Sequence, residues 1–381
     1  MRILCWWVVV SLLHLSQYVF NVSGDSDEHD GSRYQRVITE GIRKGAGDGH
    51  FGGNIPLGAQ LSIHHSDEFY RYGVAMREAF LLFLEWVNFH QEGVKINGTY
   101  MSFSMEMLDD FSEEEYVSKG VEYLLNETSV EFLFAPYSRK LAEISIQAAN
   151  RAGKFIMATA ASDINMTGIS SNGLSFGMVP NDVYNLAAAF DFLQSRNATN
   201  VAVIAEASLS RCQYNDVMIN VEEYGIELKG YYMLDPASPS YIIQLEEILT
   251  NISASGAQNI IGCSFDRLCE EAFPILKEKN INLDSYIFSV CSSGEAFEKN
   301  PLAENAFALT LWAPLDSVVG KYTGWTAKEF DQVYFDHYNV HPSYQATAAF
   351  AAGVILYAAI EETQSLDPNV LAQSMRENYY E

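Results

Sequence analysis

Small hydroxyl and acidic side chains follow apolar segments of this chain that have the length of strands. Ser138 comes shortly after Phe132–Pro136. Ser264 and Asp266 follow Asn259–Cys263 in the same way. Hydroxyl groups and backbone N–H groups at the start of a helix bind carboxylates and other polar groups without a full opposite charge. The spacing therefore predicts that these positions bind a small polar molecule.

The sequence contains none of the familiar patterns of a catalytic centre. It has no nucleophile elbow, no zinc-protease helix and no phosphate-binding loop between a strand and a helix. A hydrolase that used Ser138 or Ser162 as its nucleophile would need a neighbouring base. No histidine occurs in the strand-end segments that carry the candidate residues. We predict that the protein is not an enzyme and uses no cofactor.

Metal-ligating side chains are crowded at one point of the chain, after its first predicted strand. His64, His65, Asp67 and Glu68 are almost consecutive. Consecutive residues rarely converge on one ion, because their side chains point in different directions. The cysteines also lack the spacing of a zinc site. We therefore predict no metal site.

Two stretches of the chain run through the same order of elements: an apolar strand, a helix, and a second apolar strand that ends in small or hydroxyl residues. The first contains Phe132–Pro136 and Phe155–Thr159, followed by Ala160, Ala161 and Ser162; the second contains Asn259–Cys263 and Tyr286–Val290, followed by Cys291, Ser292 and Ser293. Apolar strands that alternate with helices form parallel sheets, which bind ligands beyond the carboxyl ends of their strands. The repeats predict an α/β protein with two lobes and a cleft.

The composition supports two folded domains and excludes several partners. The 381 residues are 48% hydrophobic and 13% aromatic, which is enough for two cores. There are 23 basic and 49 acidic residues, for a formal net charge of -26. A chain this acidic has no long-range attraction for nucleic acid or anionic lipid. We predict no nucleic-acid partner.

The amino-terminal residues have the pattern of a secretory signal. Met1 and Arg2 precede the apolar run Ile3–Leu15, and small residues at 22–24 suit cleavage. We predict a signal peptide at 1–24 and, from its acidic and Gly-rich composition, a flexible leader at 25–54. Sequons also favour secretion through a eukaryotic pathway, with candidate glycosylation sites at Asn97, Asn126, Asn165, Asn197 and Asn251.

Removal of the signal leaves an even number of cysteines, which suits an oxidising compartment. They are Cys212, Cys263, Cys269 and Cys291. Three pairings are possible, and the sequence does not choose among them. Cys263 and Cys291 each end a strand of the second repeat, which makes them candidate neighbours.

Three further segments carry specific expectations. Ser112 and Glu115 have the spacing of a capping box, which predicts the start of a helix. Phe307–Trp312 has the pattern of a strand that returns to the first lobe. Ala346–Ile360 is apolar on nearly all sides but shorter than the about 20 residues of a membrane span, so we predict a buried helix.

The order of elements resembles the type 1 periplasmic-binding-protein fold of leucine/isoleucine/valine-binding proteins and of the ligand-binding regions of eukaryotic receptors. The motifs that carry the resemblance are Tyr72-Gly73 leading to Glu85 and Asn88, Gly93 to Gly98, Leu108-Asp109-Asp110, Ala135-Pro136-Tyr137-Ser138, Ala160-Ala161-Ser162, Pro180-Asn181-Asp182 and Pro342-Ser343-Tyr344. The resemblance implies two Rossmann-like lobes joined by a hinge, with lobe 1 at 55–179 and 310–381 and lobe 2 at 180–309. It also implies that the closing strands at the carboxyl terminus are missing, as in a fragment of a longer protein.

The resemblance further implies roles for individual residues. Ser138 and the loop at 160–162 would hold a ligand carboxylate, and Tyr72 and Tyr214 would form an aromatic wall. As alternatives, Ser138 and Asp266 cap their helices, and the two tyrosines pack in the core. The predicted ligand-contacting set is Tyr72, Tyr137, Ser138, Ala160, Ala161, Ser162, Tyr214, Ser264, Asp266 and Ser292.

One departure from the pattern of amino-acid binders concerns the ligand's ammonium group. Where such proteins place an acidic residue, this chain has Ser292 and Ser293, with Glu295 slightly later. Asp266 is a candidate substitute. A hydroxy acid, an amide, another small polar ligand or no ligand therefore stay open beside an amino acid.

We predict the extracellular ligand-binding domain of a receptor, which binds a small amino-acid-like molecule between its lobes and responds by closing. Two alternatives stay open: a clamshell that binds no ligand and serves dimerisation, and a soluble amino-acid-binding transport protein. The predicted partners are the small ligand and a second copy in a homodimer. Membrane attachment is expected only through segments outside this chain.

Overall fold

The computed structural model describes residues 23–25, 36–39, 51–67, 69–161, 172–179, 183–206, 212–264, 266–289, 301–303, 305–309 and 311–378. The chain divides into two compact units. The first is Met1–Met157 with Gly353–Tyr380, and the second is Ala158–Ala352. The predicted lobe boundaries and the predicted signal and leader stay predictions.

The first sheet has three parallel strands at its centre. Its strands are β1 (Ser23–Asp25), β2 (Arg36–Thr39), β3 (Gly53–Leu61), β4 (Val94–Ile96), β5 (Thr99–Asp109), β6 (Phe132–Ala135), β7 (Phe155–Ala158) and β8 (Ser175–Gly177). The order across the sheet is β1-β2-β5-β3-β6-β7-β8, and β4 pairs with β5. Because β3 runs parallel to both β5 and β6, the carboxyl ends of these three strands lie at one edge.

Buried polar side chains tie the helices of the first unit to this sheet. The helices are α1 (Tyr70–Glu85), a π-helical turn at Trp86–His90, α2 (Glu114–Asn126) and α3 (Arg139–Arg151). Gln60 of β3 donates to the Val117 carbonyl and accepts from the Ser145 hydroxyl, which joins α2 and α3 through one amide. Asn88 donates to and accepts from the backbone of Phe103, both at 2.8 Å. Buried amides whose bonds are all made fix the helix positions.

A two-residue turn at Asn97 and Gly98 joins β4 to β5. Both residues have positive φ, 48° and 88°, as primed hairpin turns require. Gln364 holds the hairpin, since it accepts from the Asn97 N–H and donates to the Lys95 carbonyl.

The second sheet is wholly parallel in its described pairings. Its strands are β9 (Asn200–Glu206), β10 (Glu227–Leu234), β11 (Asn259–Cys263), β12 (Ser285–Phe288) and β13 (Ala306–Ala308), in the order β10-β9-β11-β12-β13. Its helices are α4 (Val183–Ser195), α5 (Tyr214–Tyr224), α6 (Tyr241–Ala254) and α7 (Asp266–Glu278). Separate apolar clusters cover the two faces, so the central strands are apolar on both sides. The predicted α/β fold class is confirmed.

Three helices follow the second sheet: α8 (Ala327–Tyr338), α9 (Tyr344–Thr363) and α10 (Pro368–Glu377). A capping box between Thr326 and Glu329 opens α8. In the described residues α9 alone is long and apolar enough to cross a membrane, but more than half of it is buried in the protein. A side-chain carbon at Gly353 would lie 2.5 Å from the Phe83 ring, so α9 and α1 touch closely. The predicted burial of Ala346–Ile360 is confirmed.

The strand predicted at Phe307–Trp312 was assigned to the wrong sheet. The strand is shorter, Ala306–Ala308, and pairs in parallel with β12. Phe307 packs against Phe192 of α4 at 4.5 Å between ring centroids, and the Arg196 guanidinium covers its ring. The apolar face of this segment is therefore used within the second unit.

The capping box predicted for Ser112 and Glu115 is also wrong. Glu113 precedes α2 and no side chain caps that helix. Ser112 has a φ of 56°, and its hydroxyl accepts instead from the Phe69 N–H. Glu115 pairs with Lys119 along the helix. A long-range bond between two loops thus takes the hydroxyl that local spacing assigned to the cap.

Two strands lie where the sequence predicted the end of a signal peptide and a flexible leader. They are β1 and β2, which pair with each other antiparallel. β2 also pairs antiparallel with β5 and extends the sheet at that side.

Candidate functional site

The first edge is formed by the carboxyl ends of β3, β5 and β6, and Ser138 occupies a strained position on it. Ser138 has φ 74° and ψ 145°, a conformation that glycine adopts and other residues avoid. Its hydroxyl caps α3 by accepting from the Leu141 N–H at 3.5 Å. The capping interpretation is confirmed, and ligand contact stays a prediction. Strain of this kind is held in place by the surrounding fold and is concentrated at functional positions.

Aromatic rings pack behind Ser138. Tyr137 is 2% exposed, and its ring lies 4.5 Å from the ring of Tyr72 and 5.4 Å from that of Phe69, centroid to centroid. The structure thus brings Tyr72 and Tyr137 together, and the packing interpretation of Tyr72 is confirmed. Ala160 and Ala161 follow β7 and are buried.

Two neighbouring carboxyl groups at the end of β5 bind the loops on either side. Asp110 Oδ1 accepts from the Ser62 hydroxyl at 2.6 Å and from the Ser112 N–H at 2.8 Å. Asp109 Oδ1 accepts from the backbone N–H groups of Ile63 at 3.2 Å and Phe111 at 3.0 Å. These bonds fix the loop after β3 against the loop after β5.

Asp67 completes an acid cluster, defined here as Asp67, Asp109 and Asp110. Asp67 lies close to Asp109, since the His64 N–H donates to the Asp67 carboxylate and the adjacent Ile63 N–H donates to Asp109. Burial, and then the Asp109 charge, raises the pKa of Asp67 to about 6. Burial raises the pKa of Asp110 to about 7 and also raises that of Asp109. The described residues contain no group of three or more histidine, cysteine or acidic side chains arranged to hold a metal ion.

The second edge is formed by the carboxyl ends of β9, β11 and β12, and it contains a buried carboxylate and a buried hydroxyl. Glu206 is 1% exposed and accepts from the Tyr241 hydroxyl at 3.2 Å. The Arg267 guanidinium lies 4.0 Å from the centre of the Tyr241 ring. Burial, with the Glu206 charge, raises the pKa of Tyr241, which keeps this hydroxyl a donor. Ser264 is fully buried, and its hydroxyl makes no hydrogen bond with the described residues.

Strand register places Glu206 beside Ser264. Cys263 of β11 pairs with Ala205 of β9, so the next residue of each strand falls on the same row and the same face of the sheet. The Ser264 N–H also donates to the Ser289 hydroxyl at 3.3 Å. The sequence reading named Ser264 but missed Glu206, although a lone acid that ends an apolar strand was a visible signal.

A disulfide between Cys212 and Cys263 joins the start of α5 to the end of β11. The suggested pairing of Cys263 with Cys291 is therefore wrong, because parallel pairing of β9 with β11 brings residue 263 close to the segment that follows β9. Cys269 is disulfide-bonded as well. Tyr231 donates to the Cys212 carbonyl at 2.7 Å and packs edge-on against Tyr214, which is 52% exposed.

Several predicted site residues lie outside the described part of the chain. Ser162 and Ser292 do, as does Asn165 among the sequons. Asp266 begins α7, and only its backbone is described. The four described sequon asparagines are exposed: Asn97, Asn126, Asn197 and Asn251. Their modification stays a prediction.

Comparisons with known proteins agree on the fold. The model of the family described as receptor family ligand binding region matches residues 90–378. The substrate-binding protein LivJ of the branched-chain amino acid transporter from Streptococcus pneumoniae, in complex with isoleucine, is 15% identical, with 84% of this chain and 88% of that chain covered and a TM-score of 0.68. The leucine binding protein LivK from Thermotoga maritima is 15% identical, with 84% and 87% covered and a TM-score of 0.68.

A further solved structure of this fold holds a ligand without an amino group. The solute binding protein of an ABC transporter from R. palustris, in complex with benzoate, is 13% identical, with 85% of each chain covered and a TM-score of 0.69. No curated protein matches the chain. The predicted resemblance to type 1 periplasmic binding proteins is confirmed.

Proposed function

Because the chain belongs to the receptor-family ligand-binding-region family, we propose that it is an extracellular domain that binds a small amino-acid-like carboxylate at the first edge. Closure of two lobes around a ligand is the usual response of this architecture. LivJ in complex with isoleucine and the leucine binding protein LivK support the amino-acid class, and the benzoate complex supports the carboxylate.

Ser138 is the observation that carries the proposal. Its strained backbone sets a hydroxyl and the N-terminus of α3 at the carboxyl end of β6. The helix N-terminus carries partial positive charge, and the hydroxyl adds a donor, so a carboxylate is the group that fits.

For the ligand's amino group we propose Glu206. Its carboxylate is held by Tyr241 beside the buried Ser264 hydroxyl. A fixed carboxylate in a site shielded from water interacts with an ammonium group more strongly than an exposed one. Glu206 therefore supplies the acid that residues 292 and 293 lack.

A thermal-shift screen of the secreted protein tests the proposal. The panel holds amino acids, the matching hydroxy acids and aromatic carboxylates. A ligand at 100 times its dissociation constant stabilises by about 2.7 kcal/mol, which moves the midpoint by a few degrees. We expect a hit that Ser138→Ala abolishes. A cooperatively melting protein that responds to no member of the panel would overturn the proposal in favour of an interaction module.

Secretion is part of the proposal and has its own test. The sequons on exposed asparagines and the disulfide between Cys212 and Cys263 support an oxidising, glycosylating compartment. Expressed in animal cells, the protein is expected in the medium with a mass that falls on treatment with an N-glycosidase. Retention in the cytosol without glycans would contradict it.

A further inference from the structure

The acid cluster lies where the loop after β3 meets the loop after β5, and its bonds run through both loops. Asp110 binds Ser62 and Ser112, and Asp109 binds the backbone of Ile63 and Phe111. All six residues lie within three residues of the carboxyl end of β3 or β5. The cluster therefore sets the distance between the two loops.

The geometry favours protons on the cluster. Asp109 and Asp110 are adjacent in the chain and are 1% and 0% exposed, so two charged carboxylates would lie together away from water. Asp109 Oδ2 and Asp110 Oδ2 are buried, and neither receives a hydrogen bond from an N–H or O–H group of the described residues. A buried oxygen without a donor is costly when it carries charge, and much less so when it carries a proton.

The charges around the cluster come from both loops. His64 donates its N–H to Asp67, and its ring lies 3.7 Å from the Asp67 carboxylate. The imidazole side chain is about half exposed, so water screens much of its charge. Beyond Ser112, Glu113 precedes α2, Glu114 and Glu115 begin it, and all three are exposed. Neither the half-exposed His64 nor this acidic start of α2 balances a second negative charge on the cluster.

A chain of contacts leads from the cluster to Ser138. Ser112, held by Asp110, accepts from the Phe69 N–H at 3.1 Å. The Phe69 ring packs edge-on against Tyr137, the residue before Ser138. A loop that shifts when the cluster ionises would therefore move the aromatic layer behind the proposed carboxylate site.

We propose that Asp67, Asp109 and Asp110 are positioning residues that hold the first edge in its binding geometry only while the cluster is protonated, so that ligand affinity falls as the pH rises. This inference rests on the proposed function for its ligand. Its structural half, a first edge that loosens with rising pH, stands without any ligand.

The direction follows from linkage. The pKa of Asp110 is raised to about 7 and that of Asp67 to about 6, both above the ordinary value of 3.8 that an aspartate has in an unfolded chain. Between those limits the folded state binds more protons than the unfolded state, so stability is greatest at low pH and is lost as the pH rises through about 6 to 7.

Hydrogen exchange of the ligand-free protein tests the structural half. We compare amide protection of residues 62–67 and 109–113 at about pH 5 and about pH 8, after correction for intrinsic exchange, with residues 260–264 of the second edge as internal reference. Protection of the first edge is expected to fall by tenfold or more, and that of the reference to stay level. Equal changes at both edges, or none, would overturn the proposal.

Substitutions show whether the pH dependence comes from the acid cluster or from other titrating groups. Asp110→Asn keeps the acceptor for Ser62 and Ser112 and replaces the protonated oxygen by an amide, so we expect protection at high pH to match wild type at low pH. Asp67→Asn removes the neighbouring carboxyl group and tests the cluster independently if the first variant misfolds. His64→Gln is the control, and it should retain the wild-type pH profile. A wild-type profile in both asparagine variants would contradict the proposal.

Calorimetric titration with the ligand found in the screen tests the functional half. The dissociation constant is expected to rise roughly tenfold between about pH 7 and about pH 8 in wild type and to stay level in Asp110→Asn. A pH-independent wild-type affinity would refute the link to binding. If no ligand is found but the exchange profile holds, the proposed function fails and the proton-dependent edge remains.

Discussion

The first edge and the second edge are each stabilised by a different kind of interaction. The first edge relies on hydrogen bonds to Asp109 and Asp110, two buried carboxyl groups whose pKa values are raised by burial. The second edge relies on the disulfide between Cys212 and Cys263 and on a carboxylate held by Tyr241. A covalent bond is indifferent to pH and sensitive to reductant. We therefore expect the first edge to respond to protons and the second edge to respond to reductant.

The largest expected effect is loss of the second-edge disulfide. In the chain-entropy account a cross-link over a separation of 51 residues stabilises by about 4 kcal/mol. We expect Cys212→Ser combined with Cys263→Ser to lower the free energy of unfolding of the second unit by about that amount, measured by denaturant titration. Exchange at residues 62–67 is the control and should not change. If the double substitution reduced protection equally at both edges, the two edges would not be stabilised independently.

Two serine-to-alanine substitutions in the first unit compare a hydrogen bond to a group that can be charged with a hydrogen bond to a neutral group. Ser62 donates to Asp110, and this bond lowers the pKa of Asp110 by favouring its charged form. Ser62→Ala should therefore destabilise by about 2 kcal/mol at about pH 8 and by less at about pH 5.

The matched control is Ser145→Ala, because Ser145 donates to the neutral amide of Gln60. Its cost should be the same at both pH values. Thermal unfolding of both variants across the pH range gives the answer, and equal pH slopes would mean that Asp110 does not ionise in this range.

A charge change at the second edge tests what that edge recognises. Glu206→Gln keeps an acceptor for Tyr241 but removes the negative charge. We expect affinity for an amino acid to fall about tenfold while affinity for the matching hydroxy acid changes little. Titration of the matched ligand pair measures this. Equal losses for both ligands would assign Glu206 a structural role through Tyr241.

The smallest expected effect comes from two substitutions at Ser138. Ser138→Gly relieves the positive φ of 74° and should stabilise the protein by about 1 kcal/mol relative to Ser138→Ala, which keeps the strain. Both remove the hydroxyl and should lose the ligand. If the Ser138→Gly variant is no more stable than the Ser138→Ala variant, the backbone at residue 138 is unstrained in solution.

The repeated strand and helix order was predictable because apolar runs and helix periods are local properties of the sequence. The second sheet follows the second repeat closely, with β11, α7 and β12 in their predicted places. Ser138 was likewise found from its position after a buried strand. Such features need no knowledge of distant contacts.

What the sequence did not predict depends on contacts between distant residues. Ser112 has the local spacing of a cap, yet its hydroxyl bonds to Phe69, 43 positions away. The disulfide partner of Cys263 depends on the pairing of β9 with β11. The acid cluster was visible only as a short motif at Asp109 and Asp110, because burial and the contact with Asp67 arise from packing.

Calorimetric titration of the glycosylated protein with the amino acid that gives the largest thermal shift tests the central claim most directly. We predict saturable binding of one molecule per chain in wild type, and none in Ser138→Ala, which should melt cooperatively like wild type. Undiminished binding to Ser138→Ala, or no binding by wild type, would contradict an amino-acid-like carboxylate held at the first edge.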